Sequence, residues 1–135
     1  MLLKPKKHKP AVSASSLDQL WRQAIRKKWG YKCALCSYPQ GESHHVVKRR
    51  HVLLKWDLRN GMLLCARHHQ EAETLQGKIK VLSKMDKTEL EEITELEKYT
   101  LKDWLTAHRM TSDEFRVFAR DRLKAYLDDK TDTIR

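Results

Sequence analysis

Leu17, Leu20, Trp21, Ile25 and Trp29 recur at helical spacing and predict an amphipathic helix over "SSLDQLWRQAIRKKWG". Ser15 or Ser16 can cap its start and Gly30 its end. Arg22, Arg26, Lys27 and Lys28 fill the other faces, and core packing is the natural role for Trp21 and Trp29. The pattern then breaks in "YKCALCSYPQGE", a turn-rich loop. "SHHVVK" and "GMLLC" are short, apolar-rich strand candidates, joined by the mixed stretch "RRHVLLKWDLRN". "ARHHQEAETLQGKIKVL" returns to helical spacing, with Gly77 placed to end or weaken the helix. The centre of the chain is therefore expected to run β, loop, β, α.

From Asp86 onward the chain is acidic and amphipathic. Leu90, Ile93, Leu96, Leu101, Trp104 and Leu105 form one stripe, irregular near Tyr99. A second follows Thr111 or Ser112 as cap, with Phe115, Phe118, Leu123, Tyr126 and Leu127. Two further helices are expected, packing on the core or on a partner subunit as a homodimer interface. Upstream, residues 1–14 hold Pro5, Pro10 and four lysines without apolar period, and a disordered basic tail is expected. The organisation predicted is a tail over 1–14, a core over 15–85 and a helical extension over 86–135. The fold class is α+β.

No apolar run approaches the roughly 20 residues of a membrane span. "MLLKPKKHKP" lacks the apolar segment of a secretory signal. A cytoplasmic protein without a membrane partner is expected. The net charge of +10 is unevenly distributed. Residues 1–60 hold fourteen Lys/Arg against three Asp/Glu, and residues 61–135 hold fourteen against fifteen. A basic half of this kind suits a polyanion, with nucleic acid the leading candidate.

The odd count of three cysteines argues against a disulfide framework and turns attention to metal. "CALC" is a CxxC pair, and "CARH" is a CxxH pair after 28 intervening residues. Zinc takes four soft or borderline ligands in a tetrahedron, which two short pairs supply. Cys33, Cys36, Cys65 and His68 are the predicted ligands. Four protein ligands leave no open position, so this zinc would be structural.

His44, His45, His51 and His69 remain, with Asn60 between them in "WDLRNG". The run "SHHVVKRR…WDLRNGMLLCARHH", with "CALC" upstream, resembles the HNH endonucleases, the zinc-stapled branch of the ββα-metal nucleases. The likeness spans about residues 31–76, and the chain is also similar in spacing to phage recombination nucleases. The resemblance implies a small ββα-metal core with a zinc knuckle, preceded by one helix and followed by two or more C-terminal helices. It implies that His45 is the general base that takes a proton from water, and that Asn60 orients it by accepting its N–H bond. It also implies that His44 and His69 hold one divalent cation. Strand alternation would turn one of the twin histidines to the ion and the other to the water. Glu73 stands where some members carry another histidine. It is either a further ligand, favouring Mg²⁺ or Mn²⁺, or a solvated glutamate. His68 stands where many carry cysteine, and His68 and His69 can exchange roles. His51 is either a phosphate contact or a surface loop residue, and the second reading is preferred.

Lys48, Arg49, Arg50, Arg59 and Arg67 adjoin these motifs and are candidates to hold DNA phosphates without reading sequence. The function expected is metal-dependent hydrolysis of DNA phosphodiester bonds by an HNH-type endonuclease. The competing reading is a zinc-stapled nucleic-acid-binding module without catalysis.

Overall fold

The computed structural model describes residues 12–129. Among them are six helices and one two-stranded antiparallel sheet, an α+β arrangement. Helix α1 (Ala14–Lys28) is the central element. Its buried face, Leu17, Trp21, Ala24 and Ile25, packs on the sheet. The same helix carries α6 (Ser112–Asp128) alongside it, through Phe115, Ala119 and Leu123. Ser13 caps α1, rather than Ser15 or Ser16, because its side chain accepts the Ser16 amide. Trp29 and Gly30 end the helix as expected, Gly30 with φ 71°. Most of the predicted tail, residues 1–11, lies outside the described residues. Its last three are structured: Val12 is buried and its carbonyl accepts from Arg116.

Strands β1 (Glu42–His45) and β2 (Gly61–Leu64) pair with His44 opposite Met62 and His45 opposite Gly61. β2 is wholly buried. β1 stops at His45 instead of running through Val46 and Val47. The Asn60 side chain replaces the ladder there, accepting the Val47 amide at 2.6 Å and donating to its carbonyl at 3.0 Å. The connection includes a 3-10 turn at Val52–Leu54, and Leu53 and Leu54 drop from it into the core.

The segment after β2 is two helices, α2 (Ala66–Glu71) and α3 (Leu75–Lys84). Thr74 makes the break by accepting the Gly77 amide as the cap of α3. Gly77 therefore does not end the helix but allows the turn: a Cβ there would lie 1.7 Å from the Glu71 carbonyl oxygen. The C-terminal region holds three helices rather than two. The irregularity at Tyr99 separates α4 (Lys87–Leu96) from α5 (Leu101–His108). Thr100 and Thr111 start α5 and α6 with reciprocal capping boxes through Asp103 and Glu114. The extension packs on the core: Ile93 and Leu123 are fully buried, and Lys27 donates to the Tyr126 carbonyl at 2.6 Å. Lys28, itself buried, bonds Glu89 of α4 and the Leu58 carbonyl. No helix among the described residues is long and apolar enough to cross a membrane.

Candidate metal centre and histidine cleft

The two short ligand pairs meet as their spacing predicts. One ligand atom each from Cys33, Cys36, Cys65 and His68 lies within 4.8 Å of the others, the one such group among the described residues. Tetrahedral zinc, with bonds of 2.3 Å to sulfur and 2.0–2.1 Å to nitrogen, requires roughly 3.8 Å between sulfurs and roughly 3.6 Å from sulfur to nitrogen. Cys36 Sγ and Cys65 Sγ are 3.7 Å apart, and Cys33 Sγ is 3.5 Å from His68 Nδ1. His68 Nε2 points away, toward Arg67 at 3.3 Å. Because α2 starts right after Cys65, the pair Cys65 and His68 sits on one tight turn. The Cys33 loop is fastened to β2 by the Ala34 amide on the Leu63 carbonyl. Burial disfavours the Cys33 thiolate, but main-chain amides of Cys65, Leu35 and Cys36 outweigh it and lower the pKa to about 6. A thiol of that kind is ready to ligate a cation.

A cleft of about 640 Å³ lies between α1, the end of β1 and the segment from α2 to α3. His44, His45, His69 and Glu73 all line it. Alternation along β1 sets the two rings on opposite faces of the strand, His45 with Gly61 toward Trp21 and His44 with Met62, and both border the cleft. Their neighbours differ. His44 meets His69 edge-on, with ring centroids 5.1 Å apart. His45 lies flat on Trp21 at 3.8 Å. Gly61, opposite His45, makes room for this: a Cβ would lie 2.8 Å from the Trp21 ring and 2.4 Å from Ile25.

His45 Nε2 is 2.8 Å from the Lys55 carbonyl oxygen. A carbonyl only accepts, so Nε2 carries the proton and Nδ1 keeps its lone pair. Nδ1 has no hydrogen-bond partner among the described residues, and it is not sealed from solvent. The Lys55 carbonyl thus does for His45 what the resemblance assigns to Asn60. Asn60 is fully buried and bonds Val47 and the Leu54 carbonyl instead, so it holds the loop that presents Lys55. Burial against Trp21 is the main reason that the His45 pKa falls to about 4; the Lys55 carbonyl opposes it, and Arg49 and His44 add to it. His44 is lowered too, by burial first and by His69 second, while Glu73 works the other way.

The basic candidates separate into two groups. Lys48, Arg49 and Arg50 are exposed and line the cleft. Arg59 is held by Asp57 at 2.6 Å and Glu92 at 2.7 Å, and those carboxylates raise its pKa further. Arg67 is exposed but stands beside the Cys/His group, not on the cleft. His51 bonds the Glu97 carbonyl, a bridge to the end of α4 rather than a free loop residue. Asp18, Trp21, Arg22 and Lys78 also line the cleft; the basic first helix was expected to extend the phosphate track, but Asp18, Trp21 and Lys78 were not singled out for the site. The signal for Asp18 and Trp21 was present: they share one turn of α1 with Arg22. Comparison with family models, with curated proteins and with solved structures gave no match.

Proposed function

We propose that this chain is a metal-dependent DNA endonuclease of the HNH type, its central ββα segment being β1, β2 and α2. The observation that carries the reading is His45: an imidazole kept neutral, with Nε2–H fixed and Nδ1 open, in the cleft that His44 and His69 share. A general base needs that state at neutral pH. His45 Nδ1 takes the proton of the attacking water, and the Lys55 carbonyl and the Asp18 carboxylate offset the charge gained. Lys48, Arg49 and Arg50 hold phosphate oxygens at the rim.

His44 and His69 would hold a divalent cation, with Glu73 lining the same cleft from the turn after α2. Imidazole suits zinc and the later transition metals, and the Glu73 carboxylate would shift the preference toward a harder cation such as Mg²⁺ or Mn²⁺. When bound, such an ion stabilises negative charge on the phosphate and on the leaving 3′ oxygen. The Cys33, Cys36, Cys65, His68 group fits zinc in a structural role, since it leaves no ligand position open.

Supercoiled plasmid incubated with Mg²⁺ or Mn²⁺ tests the reading, with wild type beside His45→Ala. Nicked or linear DNA that requires the cation and disappears in the variant is the expected result. If neither protein cuts plasmid or branched DNA, while both still retard DNA in a gel, the chain is a zinc-stapled binding module.

A further inference from the structure

Helix α3 leaves an apolar stripe in solvent. Leu75, Ile79 and Leu82 are 75%, 54% and 42% exposed. Their spacing of four and three residues puts them on one face. Gly77 and Val81 form the opposite, buried face, so the core has no need of the stripe. The helix also carries Lys78, Lys80 and Lys84 and no acidic residue. The stripe adjoins the histidine cleft, because Lys78 and Leu82 belong to the lining of that cleft.

A cover for this surface must be both anionic and apolar. A second copy of α3 would bring three lysines against three. Duplex DNA offers phosphates but hides the faces of its bases. Where strands part, bases present apolar faces beside the phosphates, and leucine and isoleucine are side chains that wedge between unstacked bases. We infer that α3 binds the unstacked bases of unpaired or branched DNA, next to the strand that enters the cleft. The inference rests on the proposed function only in taking DNA as the ligand of the cleft. In that arrangement Lys78 holds a phosphate, and Leu75 and Ile79 lie against bases outside the cleft.

The test is binding by fluorescence anisotropy with no divalent cation added, so that cleavage plays no part. The probes are a matched duplex and the same duplex with an internal bubble of unpaired thymines. Wild type is compared with Leu75→Ser/Ile79→Ser, whose substituted side chains are exposed and outside the cleft. Wild type should prefer the bubble by about tenfold, the size of one base contact. The double variant should lose that preference and keep its duplex affinity. An equal preference in both proteins, or none in wild type, overturns the inference. So does a shift from dimer to monomer in the variant on sedimentation, which would make the stripe a self-interface. The two readings fail separately. A chain that selects the bubble through α3 but never cuts keeps this inference and loses the nuclease. A chain that cuts plasmid without an α3-dependent preference does the reverse.

Discussion

Trp21 lies flat on His45, with ring centroids 3.8 Å apart and planes 7° from parallel. Its own N–H is anchored on the Asp57 carbonyl at 3.0 Å. The indole is thus a fixed wall for the imidazole, from a helix that precedes the histidine by two dozen residues. Trp21→Phe should keep a flat apolar wall and most of the proposed DNA cleavage. Trp21→Ala should cost about 3–5 kcal/mol of stability, as large core truncations do, and should lower cleavage even where the protein is still folded. Urea unfolding of both variants beside their cleavage rates checks this.

The same stacking has a pH consequence. In the unfolded chain His45 titrates near the ordinary 6.5; in the fold its pKa is about 4. Between those values the unfolded state binds a proton that the folded state refuses. The contribution of His45 to stability is therefore complete above about pH 6.5 and is lost as the pH falls toward 4. His45→Gln, which stays neutral, should flatten that part of the stability–pH curve. Equal slopes for the two proteins between pH 6.5 and 4 would refute the assignment.

Asn60 has three bonds in the core, to Val47 twice and to Leu54. Asn60→Ala leaves those main-chain groups buried without partners, and should destabilise by about 3 kcal/mol or more. It should also loosen the loop that carries the Lys55 carbonyl. Hydrogen exchange should therefore speed up at the Val47 amide, with cleavage falling alongside.

The Cys/His group ties the loop after α1 to the start of α2, so a metal held there would be coupled to the fold. Purified protein should hold one zinc per chain, and Cys65→Ser should lose both the metal and the cooperative unfolding transition. Co²⁺ substitution should give the absorption of a tetrahedral thiolate site. Metal analysis with full occupancy in Cys65→Ser would exclude the site.

Arg49 and Arg59 should differ although both adjoin the motif. Arg49 is 66% exposed, with one loose 3.8 Å contact to Asp18, and is free to meet phosphate. Arg49→Ala should reduce the slope of log affinity against log salt by about 1. Arg59 is held between two carboxylates. Arg59→Ala should act mainly on stability and leave the salt slope unchanged. Titrations at several salt concentrations distinguish them.

The Cys/His cluster was legible in the sequence because ligand-type spacing on tight turns is a local property, and the turns bring each pair together by themselves. The α1 pattern, the two strand positions and the Thr111 cap of α6 were legible for the same reason, whereas the Thr100 cap that divides α4 from α5 was not read. What the sequence did not determine depends on contacts distant along the chain. The break between α2 and α3 follows from how closely α3 can approach the Glu71 carbonyl, which leaves no volume for a side chain at Gly77. The end of β1 at His45 follows from Asn60, fifteen residues on, taking over the backbone bonds of Val47. Only the tertiary structure brought Trp21, Lys55 and His45 together, because a main-chain carbonyl has no sequence signature and an indole that lines a cleft looks like any other core residue. For the same reason pairing could not be read in advance: Arg59 and Arg49 have the same side chain, and only the fold sets Asp57 and Glu92 around one of them.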